Sequence, residues 1–279
     1  MTASDPVDLE LLRAKALMVR LETLRLTRIA GAGHYSGTFS AAELFAVLYY
    51  HQLRLDPAHP DWPERDRFIL SKGHAAIGLY PILADLGYFD PALLETYSRL
   101  GSPFGDHPDM RKIPGVDFSS GSLGHGLSIG LGMALAARVT GRDYRVYVMV
   151  GDGELAEGQI WEAAMAAGHF RAANLACVVD RNRLGIDGPT EDVMTAEPIE
   201  ERFAAFGWTW QRFDGHDVAA VVDALGRAQG GDAPHLLVAD TVKGRGVARM
   251  ENDLAWHVGN LGPEEYDEVY QELVDGGAP

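Results

Sequence analysis

The sequence predicts an α/β protein: a mostly parallel β-sheet with helices on both faces. Two observations carry this reading. Short apolar runs rich in strand-forming residues alternate with stretches of helical periodicity. Around the middle of the chain this alternation reads strand, loop, helix, strand, loop, the order that neighbouring parallel strands require. The 279 residues permit one large α/β domain or two small ones. No repeat, linker or low-complexity segment divides the chain, so a single domain over residues 1–279 is expected.

The elements follow in order. Val7–Ala30 reads as a helix with Leu9, Leu12, Ala16, Val19 and Thr23 on one stripe. Asp5 would cap it, with Pro6 at the first helical position. Ser40–His51 reads as a second helix, opened by a capping box of Ser40 and Glu43. Arg67–Leu70 is strand-like. Gly121-Ser122-Leu123-Gly124-His125-Gly126 opens a helix of small residues, Leu127–Arg138, suited to close packing on the sheet or on another subunit. Tyr144–Val150 reads as a strand, Gln159–His169 as a helix and Leu175–Asp180 as a strand. A helix near Ile199–Phe206, a strand near Trp208–Phe213, a helix near Val218–Ala228 and a strand near His235–Thr241 follow. Pro263 starts a last helix through Leu273, docked on the surface.

A net charge of −16 argues against nucleic acid or anionic membranes as general partners. The single cysteine, Cys177, lies in a strand-like run and reads as a small buried hydrophobe. It excludes an internal disulfide framework and fits a reducing compartment. No apolar run approaches membrane-spanning length, and the N-terminus lacks the basic and apolar pattern of a signal peptide. The expected location is cytoplasmic.

The chemistry concentrates in two motifs. Gly151-Asp152-Gly153-Glu154 follows the first of the two central strands, and Asp180-Arg181-Asn182-Arg183-Leu184 follows the second. Asn182 lies 30 residues beyond Asp152. Neighbouring parallel strands would bring both loops to one sheet edge. One carboxylate, one amide oxygen and loop carbonyls suit a hard divalent cation that keeps positions free for phosphate oxygens. The glycines allow the backbone to approach a diphosphate closely.

This spacing resembles the thiamine diphosphate signature. The run Gly153–Ala164, with Asp66–His74 and Gly188–Met194, resembles transketolase, and the likeness extends from about Gly31 to His257. The resemblance implies thiamine diphosphate and Mg2+, or another divalent cation such as Ca2+ or Mn2+. It implies Asp152 and Asn182 as metal ligands through their side chains and Leu184 through its main-chain carbonyl. Gly151, Gly153 and Glu154 would lie at the cofactor, as would the loop of Gly121, Ser122 and Leu123, and Lys243. Glu157 would be structural or subunit-bridging. His34, His74, His107 and His257 match transketolase histidines. His74 and His257 would meet both diphosphate and substrate, His107 the donor hydroxyls, and His34 the substrate carbonyl. Imidazoles suit this work because they donate or accept protons near neutral pH. His51, His59, His169 and His235 are read as structural.

One departure falls at His34. Transketolases usually have Gly-His-Pro-Gly-Gly there, whereas this chain has Gly33-His34-Tyr35-Ser36-Gly37. The change is expected to add a phenol and alter substrate preference more than cofactor binding. The glutamate that bonds the cofactor's pyrimidine ring lies in a second, pyrimidine-binding domain in the family, and no segment here is long enough to form it. The resemblance therefore implies the N-terminal subunit of a split transketolase, paired with a C-terminal subunit that carries the pyrimidine-binding domain and the catalytic glutamate, two copies of each. The activity implied is transfer of a two-carbon ketol unit from a ketose to an aldose, either a sugar phosphate or an unusual sugar or keto compound. Two other readings stand beside it. One is the alpha subunit of a 2-oxo acid dehydrogenase, disfavoured by the four histidines. The other is a non-catalytic binding subunit, disfavoured by the intact Asp152 and Asn182.

Overall fold

Strands β1 (Arg67–Leu70), β2 (Val146–Gly151), β3 (Leu175–Arg181), β4 (Thr209–Asp214) and β5 (His235–Asp240) form one sheet in the order β1-β2-β3-β5-β4. The structure is a computed structural model, which describes residues 7–276. Every pairing is parallel, so the sheet is parallel throughout rather than mostly so. The register sets Val148 beside Cys177 and Val179 beside Val238.

The helices are α1 (Leu9–Ala30), α2 (Ser36–Phe39), α3 (Ala42–Val47), α4 (Ala76–Asp85), α5 (His125–Thr140), α6 (Gly158–His169), α7 (Thr190–Val193), α8 (Ile199–Ala205), α9 (Val218–Arg227) and α10 (Pro263–Gly276). They cover both faces, as a parallel sheet requires. Alternate strand residues fall into two cores. Phe68, Leu70, Tyr147, Met149, Val178 and Leu237 meet α1, α3, α4 and α9 on one side. Ile69, Val148, Val150, Cys177, Val179 and Val238 meet α5, α6 and α8 on the other. Cys177 is fully buried, and burial pushes its thiol far above its ordinary range, consistent with an inert packing residue. Among the described residues no helix is long and apolar enough to cross a membrane.

Local signals place most element ends to within two residues, with informative exceptions. Asp5 and Pro6 lie outside the described residues. The first helix begins at Leu9, where Asp8 accepts a hydrogen bond from the Leu11 amide at 2.9 Å. The capping box at Ser40 and Glu43 does not form. Ser40 Oγ donates to Asp180 at 2.6 Å, and Glu43 is held by Arg20 at 2.8 Å and by His216 at 3.0 Å. The expected helix over Ser40–His51 is instead α3 and a π-helical turn, Leu48–Gln52, with α2 ending just before it at Phe39. Long-range partners outcompete the local cap for both side chains. The buried helix α4 has no counterpart among the expected elements, because its all-round apolar sequence shows no helical stripe.

The small residues of α5 serve packing on the sheet. A Cβ added to Gly130 would stand 2.4 Å from Val148 Cγ2, a stiff side chain in a buried strand. Gly130→Ala should gain about 1 kcal/mol of helix propensity. It should lose about 1–3 kcal/mol to overpacking. The expected net result is a lower urea midpoint, and a raised midpoint would show that α5 can lift off the sheet.

Candidate active site at the carboxyl end of the sheet

The loops after β1, β2, β3 and β5 emerge side by side at the carboxyl end of four neighbouring strands, where ligands of parallel α/β sheets bind. They deliver Lys72 and His74, Asp152 to Glu154, Asn182 to Leu184, and Lys243 in turn. The loop before α2 supplies His34, and the loop before α10 supplies His257.

A buried charge pair organises this edge. Lys72 Nζ donates to Asp180 Oδ2 at 2.5 Å and to the Gly37 carbonyl at 2.6 Å. Asp180 is fully buried and also accepts from Ser40 and Thr241. Burial opposes its ionisation, but the Lys72 ammonium and the hydroxyl donors outweigh this and hold its carboxyl below the usual range. These bonds lock the ends of β1, β3 and β5 to α2.

Asp152 reaches the Asn182 loop through the Arg183 amide. Asp152 Oδ1 accepts from the Gly153 amide at 2.8 Å, and its Oδ2 accepts from Arg181 at 2.8 Å and from the Arg183 amide at 2.5 Å. Asn182 Oδ1 accepts from the Leu184 amide at 3.2 Å. Arg183, between the two, sits at φ +68, a left-handed conformation that costs energy in a non-glycine residue. Lys243 Nζ donates to the Leu184 carbonyl at 2.8 Å and to the Gly185 carbonyl at 3.1 Å. Asp152, Asn182 and the Leu184 carbonyl offer only oxygen donors on these two loops. This fits a hard cation held by Asp152, Asn182 and Leu184.

Glu154 faces the protein. Its carboxylate accepts from Ser71, from the Gly124 amide at 2.7 Å and from the Gly151 amide at 3.1 Å. It therefore staples three loops together and presents no free oxygen to a ligand. Glu157 is exposed ahead of α6. Gly121, Ser122 and Leu123 lie in the loop that enters α5, with Gly124 in a left-handed conformation at the helix start. Gly73 lets the His74 loop lie against this one, since a Cβ there would stand 2.7 Å from Ser120 Oγ and 2.9 Å from the Gly121 nitrogen. Among the described residues the buried Ser120 hydroxyl has no partner, so the loop holds an unused donor beside the Gly121 amide.

Three of the four histidines converge. The ring centroids of His34 and His74 are 5.1 Å apart, those of His34 and His257 5.5 Å, and those of His74 and His257 5.6 Å. His107 stays outside this triangle, exposed beside Gly121, with Asp106 between it and His34. Desolvation, reinforced by Lys72 and the other imidazoles, pushes the His74 pKa well below its ordinary value. Lys243 Nζ donates to His257 Nδ1 at 2.8 Å, so the His257 ring carries its hydrogen on Nε2. Burial first and the Lys243 ammonium second push the His257 pKa down to about 4. Burial and then the Lys72 ammonium push Lys243 down to about 8.

The His257 shift has a sign. Between its ordinary value of 6.5 and about 4 the unfolded chain binds a proton that the folded chain refuses. Stability should therefore fall as pH drops through that window. His257→Gln should retain more of its neutral-pH urea midpoint at pH 5 than the unmodified protein does. Equal losses would remove His257 from the acid response; His74, shifted in the same direction, keeps part of the slope in either case.

The altered loop at His34 directs its new phenol into the protein. The Tyr35 phenol does not enter the site. It is buried against Phe39 and Trp256 at centroid distances of 6.1 and 6.2 Å, and burial pushes its pKa up to about 12. Ser36 Oγ donates to the Trp256 carbonyl at 2.6 Å, and Gly33 and Gly259 exchange amide bonds of 3.0 Å. The departure from Pro-Gly thus ties the His34 loop to the His257 loop. Reading the sequence missed Lys72, Asp106, Asp180 and Arg181 as site residues. All four sit in or beside motifs already singled out, and charged residues flanking such motifs were the available signal.

An edge of this kind, on a wholly parallel sheet, marks an α/β protein whose ligand site lies at the carboxyl ends of its strands. The chain belongs to the transketolase family, a family of transferases: the family described as "Transketolase, thiamine diphosphate binding domain" matches residues 13–275. It is 42% identical to the 6-deoxy-6-sulfo-D-fructose transketolase subunit SqwG of Clostridium sp. (strain MSTE9), over 96% of this chain and 98% of that protein. It is 37% identical to one of the subunits of apulose-4-phosphate transketolase of Phocaeicola vulgatus, over 96% of each chain. Mouse transketolase is also 37% identical, but the match spans 43% of its length. Among solved structures, transketolase of Campylobacter jejuni superposes with a TM-score of 0.90 at 29% identity, over 97% of this chain and 43% of that one. The chain spans under half the length of that structure.

Proposed function

We propose that this chain is the diphosphate-binding subunit of a split transketolase that moves a two-carbon ketol unit from a ketose to an aldose. One observation carries the reading: Lys243 contacts both the Leu184 carbonyl and His257, so the oxygen-donor cluster and the imidazole cluster form one continuous site. Two relatives of nearly the same length are named as transketolase subunits, which supports a separate partner chain. That partner would bring the pyrimidine-binding domain and the catalytic glutamate, two copies of each chain making the enzyme. The names of those relatives specify a sulfonated ketose and apulose 4-phosphate, which favours an unusual ketose with an anionic terminus as substrate.

Asp152, Asn182 and the Leu184 carbonyl would hold Mg2+, or Ca2+ or Mn2+ in its place. The backbone around Gly121–Leu123 and Gly153, with the Ser120 hydroxyl, would donate to diphosphate oxygens. Thiamine diphosphate, when bound, supplies the carbanion chemistry that no side chain offers. The protein's own work is positioning and proton handling. The His257 Nε2–H donates toward substrate oxygens. His74, kept neutral by desolvation, accepts or returns a proton without carrying a charge into the site. His107, at the open side, meets hydroxyls at the mouth.

The test is co-expression with the candidate partner chain, followed by an assay for two-carbon transfer between ketose donors and short aldoses with thiamine diphosphate and Mg2+. Appearance of a ketose two carbons longer than the acceptor supports the reading. Turnover of 2-oxo acids without ketol transfer would support the dehydrogenase alternative instead. A stable complex with neither activity would indicate a binding role.

A further inference from the structure

Asp106 directly precedes His107 and has so far been given no role, yet it touches two of the four histidines. Its Oδ1 lies 3.1 Å from His34 Nδ1, and its Oδ2 lies 3.9 Å from His107 Nδ1. Its side chain is 43% exposed, so it sits at the open side of the cluster rather than in the core. Burial opposes its ionisation, but the His34 hydrogen bond outweighs this and holds its carboxyl below the usual range. An ionised carboxylate can only accept, so His34 Nδ1 must carry the hydrogen. The neutral ring then keeps its lone pair on Nε2. No other hydrogen bond of that ring occurs among the described residues, so nothing else selects its tautomer.

His257 is set the opposite way. Lys243 donates to its Nδ1, which leaves Nε2 as the donor. The two rings stand 5.5 Å apart and nearly perpendicular, at 84°. One imidazole therefore offers an acceptor and the other a donor within the span of a hydroxylated carbon chain.

We propose that Asp106 is a positioning residue that holds His34 in its Nδ1–H tautomer, leaving Nε2 to accept from a substrate hydroxyl opposite the donor of His257. The consequence for turnover rests on the transferase reading above; the tautomer does not. Losing a carboxylate that orients a metal-bound imidazole typically costs about 10- to 100-fold in activity, and a loss on that scale is expected for His34.

The test uses protein with 15N-labelled histidine at pH 8, where imidazoles are neutral. Long-range proton–nitrogen correlation reads each tautomer, and His34→Gln assigns the His34 signal. The expected result is an Nδ1–H His34 in the unmodified chain, lost in Asp106→Ala and kept in Asp106→Asn, which retains an acceptor. In the complex with the partner, Asp106→Ala should lower kcat about 10- to 100-fold. Asp106→Asn should stay closer to the unmodified enzyme. Asp106→Ala should have no further effect in a His34→Gln background. An Nδ1–H tautomer that survives Asp106→Ala would overturn the proposal. So would an equal loss of kcat in the His34→Gln background. If the unmodified complex shows no ketol transfer, the transferase reading fails, and the tautomer, which requires neither partner nor cofactor, still decides the role of Asp106.

Discussion

Truncating His74 to alanine should lower the turnover of the assembled enzyme by about 10²–10⁴-fold, the range for loss of a positioned proton-transfer group. The charged form of His74 is strongly disfavoured, because desolvation, Lys72 and three neighbouring imidazoles all act in the same direction. A neutral ring in that place can take a proton only transiently, which suits a shuttle and not a resting charge. Its Nε2 lies against Gly37, where an added Cβ would stand 3.5 Å away, and no side-chain hydrogen bond ties it down among the described residues. With no hydrogen bond to lose, the variant should cost about 0.5–3 kcal/mol of stability from lost packing, too little to unfold the assembled enzyme. A loss of turnover below tenfold would mean that His34 and His257 carry the proton transfers without it.

Asp180→Ala should cost about 3–5 kcal/mol of stability, the penalty for leaving a buried charge without its partner. Lys72 is 2% exposed, so the ammonium left behind cannot turn to water. The hydroxyls of Ser40 and Thr241 lose their acceptor in the same step. Urea unfolding gives the measurement. The double variant Lys72→Met with Asp180→Leu should lose less than Asp180→Ala alone, because it removes both charges. A loss near ~1 kcal/mol for Asp180→Ala would show that water reaches the pair. The pair also bears on function, since Lys72 holds the Gly37 carbonyl three residues beyond His34.

The sheet was legible because its strands announce themselves: Leu175–Asp180 and Arg67–Leu70 are strand-forming runs that end at polar or glycine-bearing motifs, Asp-Arg-Asn and Ser-Lys-Gly. The positions of Asp152, Asn182 and Leu184 at one edge followed from strand order alone. What the sequence could not reveal is long-range pairing. Lys72 and Asp180 are 108 residues apart, and Asp106 and His34 are 72 apart. Ser40 and Glu43 had the spacing of a cap, but tertiary partners took both side chains. Tyr35 follows His34 directly, yet its ring packs into a core with Phe39 and Trp256. Side-chain direction in an irregular loop depends on what packs behind it, and that information lies elsewhere in the chain.

The central claim is that this chain supplies one half of a shared, cation-dependent cofactor site. Equilibrium binding of thiamine diphosphate to the chain alone and to its co-purified complex, each with Mg2+ and with a chelator, tests it most directly. The account predicts stoichiometric binding in the complex, its loss with the chelator or with Asp152→Asn, and much weaker binding to the chain alone. Binding of equal strength to the chain alone, or binding in the complex that ignores both the chelator and Asp152→Asn, would contradict it.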